Sequence, residues 1–154
     1  MNFSLILPKT IDNSYQGKNI AKYLFYLLTV ITVVRSGIHM LSADGGAQSI
    51  ATIPLDSYSE QASQSVILIF ALWGLSQLIM GIFYVIVALR YKSLIPLMYV
   101  FIFMEYTMRV ILGYIKPIVT EGTAPGSIGN YIMIPLAIVL FLVSINKNKK
   151  QQIK

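Results

Sequence analysis

The sequence predicts an all-α integral membrane protein, a four-helix bundle with both termini cytoplasmic and two longer loops facing outward. Three observations predict it. Hydrophobic residues make up 56% of the chain and charged residues 12%, with a mean hydropathy of +0.69. A soluble domain carries about 25% charged residues, so this chain could not cover a water-facing surface. Four apolar stretches approach the roughly 20 residues that a helix needs to cross a bilayer core, and the basic residues gather at one end of them. A length of 154 residues fits one domain covering the whole chain. The absence of cysteine excludes a disulfide, a thiolate zinc site, an iron–sulfur cluster and a catalytic thiol.

The first span is read over about 20–41, the second over about 66–89, the third over about 94–115 and the fourth over about 128–145. Helices are required because lipid offers no partner to unpaired backbone groups. The long continuous runs also lack the short alternating segments of a β-barrel. Lys9, Lys18 and Lys22 precede or open the first span, and Arg90 and Lys92 occupy the tight turn between the second and third. Lys147, Lys149, Lys150 and Lys154 form the tail, while the opposite side carries Lys116 and the acids Asp44, Asp56, Glu60 and Glu121. The positive-inside rule places both termini in the cytoplasm. The net charge of +6 is then a topology signal, and nucleic acid drops out as a partner. The first 19 residues are too polar for a signal-peptide core, and Leu41-Ser42-Ala43 lacks a small–x–small cleavage pattern, so the first span is expected to be retained. The outward loops, about 42–65 and 116–127, are rich in glycine and proline. Loops longer than about 12 residues are often functional; a plain surface cap is an equal reading.

Ionisable side chains inside a span are costly and usually face the bundle interior or water. Arg35 and His39 in the first span, and Glu105 and Arg109 in the third, are each spaced i, i+4 and share one helix face. The second span offers Trp73, Gln77 and Tyr84 on a common face, with Gly74 and Gly81 allowing a neighbouring helix close approach. At 1.5 Å per residue, Arg35 and Arg109 lie roughly 10 Å below the outer end and Glu105 about 15 Å below it. The fourth span opens on the same side with Asn130 and Tyr131. Arg35, His39, Trp73, Gln77, Glu105, Arg109, Asn130 and Tyr131 therefore form one candidate ligand-binding cluster. Taken singly, each has a bland reading: arginines snorkel, a Glu–Arg pair locks packing, and a histidine is hydrogen-bonded in the core. Taken together, two arginines share one glutamate, and an uncompensated buried charge costs several kcal/mol. Acidic loops must fold over the cluster, water must enter, or an anionic group must bind. No catalytic residue is assigned, for there is no nucleophile elbow or phosphate-cradling glycine loop. No metal ligand is assigned either, because the arginines oppose a cation site.

The segments "RSGIHML" (35–41), "ALWGLSQLIMG" (71–81), "FMEYTMRVILGYIKP" (103–117) and "APGSIGNYIMIPLA" (124–137) carry a resemblance. Their arrangement resembles the small bacterial four-span membrane proteins grouped around DoxX-like and related uncharacterised families. The resemblance implies a bacterial inner (cytoplasmic) membrane location and no particular reaction; DoxX-like proteins include partners of quinone-linked membrane oxidoreductases. The expected function is a non-enzymatic binding or accessory protein whose outward pocket holds a lipid or other small amphiphile. Its expected partners are membrane lipids, other membrane subunits or further copies of itself. The alternatives are a quinone-linked oxidoreductase subunit, with Trp73, His39 and Glu105 flanking the quinone, and an oligomeric proton or ion channel. The sequence requires no cofactor, and a quinone is compatible with it.

Overall fold

The computed structural model describes residues 3–146; the basic tail residues named above lie outside them. Among the described residues the chain is all-helical, with no strand. Four long helices, α1 (Asn19–Leu41), α2 (Glu60–Arg90), α3 (Ile95–Ile115) and α4 (Pro125–Ile145), are joined by loops and short 3-10 turns. Each of the four segments is long and apolar enough to cross a membrane. Helix α1 packs chiefly on α2, and α3 on α4, with thinner contact between the two pairs. The end bearing the two long loops is called the loop end below, and the opposite end the turn end.

Two helices begin earlier than the apolar pattern predicts. Helix α2 starts at Glu60 rather than near Val66. Ser59 caps it by accepting a bond from the Ala62 amide, and Gln64 donates to Glu60 one turn back, at 3.1 Å. Its first turns are polar, so hydropathy alone assigns them to the loop. At 31 residues α2 is about 46 Å long, well beyond a hydrocarbon core of about 30 Å. Helix α4 starts at Pro125 rather than near Ile128, since proline at the first helical position gives up a hydrogen bond the helix does not need.

The main core lies toward the turn end. Phe25 packs edge-on against Tyr84 and Tyr99, and the Tyr99 hydroxyl donates to the Ala21 carbonyl at 2.6 Å. Ile95, Met98, Ile102, Ala137 and Leu140 complete it, while the loop-end halves of α3 and α4 bury no residue fully. The segment before α1 crosses beneath this core. Asp12 and Ser93 bond reciprocally through their backbone amides, and Gly17 lies so close to α4 that a Cβ there would sit 2.0 Å from the Ser144 carbonyl oxygen. That strap ties the α2–α3 turn to the end of α4.

Close approach of α1 and α2 follows from two glycines. A Cβ at Gly74 would lie 2.8 Å from the His39 Cβ, and one at Gly81 would lie 3.0 Å from the Val33 Cγ2. Above this contact, residues 42–59 fold into a cap, burying Ala47, Ile53 and Leu55 against Val66, Ile67 and Phe70. Gly45 and Gly46 take positive φ of 60° and 76°, a conformation that costs glycine little. Thr52 also has a positive φ, 57°, which is strained for a β-branched residue. It joins the two long loops: its carbonyl accepts from the Glu121 amide and its hydroxyl donates to the Gly122 carbonyl, both at 2.9 Å.

Candidate functional site

His39 sits at the last turn of α1 and is 5% exposed. Its Nδ1 lies 2.8 Å from the Gly45 carbonyl oxygen. A carbonyl can only accept, so Nδ1 carries the proton in this bond. The imidazole lies against Trp73, tilted by 36° with 4.7 Å between ring centroids, and meets Phe70 edge-on at 6.0 Å. His39 thus fastens the cap to α1 and backs the Trp73 ring.

Trp73 also touches Arg109 of α3, whose guanidinium carbon lies 4.8 Å from the indole centroid and 5.4 Å from the Tyr106 centroid. Arg109 donates to Glu105 one turn earlier, the one ion pair among the described residues. Arg35 follows a different route. Its Nε donates to Gln77 Oε1 at 3.2 Å across the α1–α2 interface. Gln77 is 6% exposed, and its Nε2 has no hydrogen-bond partner. Of the two arginines expected to share Glu105, only Arg109 bonds it directly. Glu105 pairs directly with Arg109 alone, because the glycine-mediated approach of α1 and α2 puts Gln77 within reach of Arg35 first.

Arg35 and Glu105 nevertheless face one space. A cavity of about 10 Å³ is lined by Thr32 and Arg35 of α1, Tyr84 of α2, Glu105 and Tyr106 of α3, and Met133 of α4. It has room for one water. A larger cleft of about 190 Å³ opens between the loop-end halves of α3 and α4, lined by Arg109, Gly113, Tyr114, Ser127, Asn130 and Tyr131. Arg109 therefore belongs both to the inner cluster and to the cleft wall. The Tyr131 hydroxyl donates to that of Tyr114 at 2.9 Å, both residues lining the cleft. The structure thus links Arg35 to Gln77 and connects His39, Trp73, Arg109 and Glu105 in a chain, with Asn130 and Tyr131 reaching it through the cleft. Ser127, Gly113 and Tyr114 were not singled out as site residues; Gly113 lies one turn beyond Arg109, and Ser127 nearly one turn before Asn130, which is the spacing that could have found them.

Three of the loop-side acids are occupied elsewhere. Asp44 accepts from the backbone amides of Gly46, Gln48 and Ser49 at 2.6–3.1 Å. Partial burial pushes its carboxyl up, but these amides and the Ser49 side chain outweigh that and hold it at about 2. Asp56 accepts from Gln48, Glu60 accepts from Gln64, and Glu121 is exposed. None of them forms an ion pair with Arg35 or Arg109 among the described residues. Lys116, placed on the Glu105–Arg109 stripe by its spacing, lies exposed at the end of α3.

Fold and site together define, among the described residues, an all-helical chain of four membrane-length segments with a cation-rich cluster near its loop end. No family model matches the chain, and neither the sequence nor the structural comparison with known proteins finds a match.

Proposed function

We propose that the chain is a non-enzymatic multi-pass protein of the bacterial inner membrane that binds the head of a lipid or other small amphiphile. In this reading both termini are cytoplasmic, and the protein serves as an accessory subunit alongside other membrane components. One observation carries it: Arg35 and Arg109 face a single carboxylate, Glu105, while the acids of the cap are engaged with their own loop. A partly buried excess of positive charge is unfavourable without a compensating anion or solvent, and the cleft beside Arg109 gives one access. The aromatic packing of Phe25, Tyr84 and Tyr99 toward the turn end favours one-sided access over a conduit within a single copy.

The test is native mass spectrometry of gently extracted protein. The wild type should retain an amphiphile that the Arg35→Ala, Arg109→Ala double variant loses while keeping its helical content by circular dichroism. A wild type that carries no small molecule through mild extraction would reduce the cluster to a structural network.

A further inference from the structure

The cleft between α3 and α4 has features that narrow the ligand. Its polar lining residues are Arg109, Asn130, Ser127, Tyr114 and Tyr131, with no carboxylate among them, and the Ser127 hydroxyl is already donated to the Ala124 carbonyl at 2.7 Å. Its volume of about 190 Å³ lies below the roughly 300–1,000 Å³ of pockets that enclose a whole small molecule. It can seat a headgroup while the rest of the ligand stays outside. The walls are not sealed by protein: a Cβ added at Gly113, Gly126 or Gly129 would meet nothing within 4 Å. Val110 joins the lining, and Ile128 and Ile132, both exposed, stand on α4 one turn apart, next in sequence to the lining residues Ser127 and Tyr131. An apolar margin around a polar seat fits an amphiphile whose tail runs along the helix surface.

Charge fixes the class. Arg109, which lines the cleft, and Arg35 and Glu105, which line the adjoining cavity, sum to one net positive charge with His39 neutral, and no other acid among the described residues pairs with them. A ligand carrying one negative charge closes that balance. A neutral quinone leaves one positive charge, and a doubly charged phosphate monoester overshoots to one negative. We propose that the cleft is a lateral seat for the monoanionic phosphodiester headgroup of a membrane lipid, held by Arg109 and Asn130. This deepens the amphiphile-binding reading and rests on it.

The chain has a single tryptophan, Trp73, and Arg109 lies against its ring, so indole emission reports on the seat. The experiment uses the full chain in phosphatidylcholine nanodiscs doped with increasing phosphatidylglycerol. The expected result is a saturable change in Trp73 emission. Asn130→Ala should weaken it about ten-fold or more, the loss of one hydrogen bond to a charged group. Three further arms decide the class and its source. A neutral quinone that produces the change while phosphatidylglycerol does not would overturn the anionic seat and leave amphiphile binding standing. Water-soluble glycerophosphoglycerol acting as well as the lipid would overturn the membrane source. If no probe changes emission and native mass spectrometry finds no retained amphiphile, both readings fall.

Discussion

Replacing Glu105 by glutamine should destabilise the protein more than replacing its partner Arg109 by glutamine. The Arg109 side chain is 18% exposed and that of Glu105 38% exposed. The pair thus lies between the fully buried limit, where removing one partner costs about 3–5 kcal/mol, and the surface limit of about 0–1 kcal/mol. Without Glu105, the more buried Arg109 keeps only its aromatic contacts with Trp73 and Tyr106, and Arg35 loses the carboxylate that faces its cavity. Discounting the buried limit for partial solvation gives about 2 kcal/mol for Glu105→Gln. Without Arg109, the more exposed Glu105 still has Arg35 across a water-sized gap, so the cost is about 1 kcal/mol. Thermal unfolding in detergent, followed by circular dichroism, should show a Tm drop of about 4–8 °C for the first variant and about half that for the second. The double variant should cost less than the sum of the singles. Equal or reversed costs, or strict additivity, would refute the coupling.

Gly74→Ala should destabilise the α1–α2 contact, since the new methyl would meet the His39 Cβ at 2.8 Å and the Met40 backbone nitrogen at 3.1 Å. Gly129→Ala meets nothing and should be neutral or stabilise α4 by up to about 1 kcal/mol; the same unfolding assay compares the two, and equal effects would contradict the close approach. Asp44 is held at about 2 against an ordinary 3.8, so its contribution to the cap is intact above 3.8 and lost as pH falls toward 2. Pepsin cleavage within residues 42–59 should rise over that window, and Asp44→Asn should be cut throughout the acid range; an identical profile for the variant would remove Asp44 from the explanation. For topology, Ser57→Cys should react with an impermeant thiol reagent on intact cells and Asn13→Cys only after lysis, because the basic residues flank the N-terminal side. The reverse labelling would invert the proposed orientation.

The sequence by itself determined the four helices, since a continuous apolar run of about 20 residues is a local property. It also determined the Glu105–Arg109 pair, because i, i+4 spacing on one helix brings two side chains together whatever the helix packs against. The glycines of α2 were legible for the same reason, as small residues on one face permit a close neighbour. What the sequence could not determine was which neighbour. Arg35 and Gln77 are 42 positions apart, and their bond exists only in the register that Gly74 and Gly81 set against α1. The Gly45 carbonyl on His39, the Thr52 junction between loops and the strap held by Asp12 and Ser93 likewise depend on distant segments meeting. The first turns of α2 escaped hydropathy because a cap and an i, i+4 hydrogen bond, not apolar burial, hold them in a helix. Local periodicity and solvation act residue by residue and can be read along the chain. Pairing between helices is decided by small free-energy differences among similar packings, and only the assembled structure selects one.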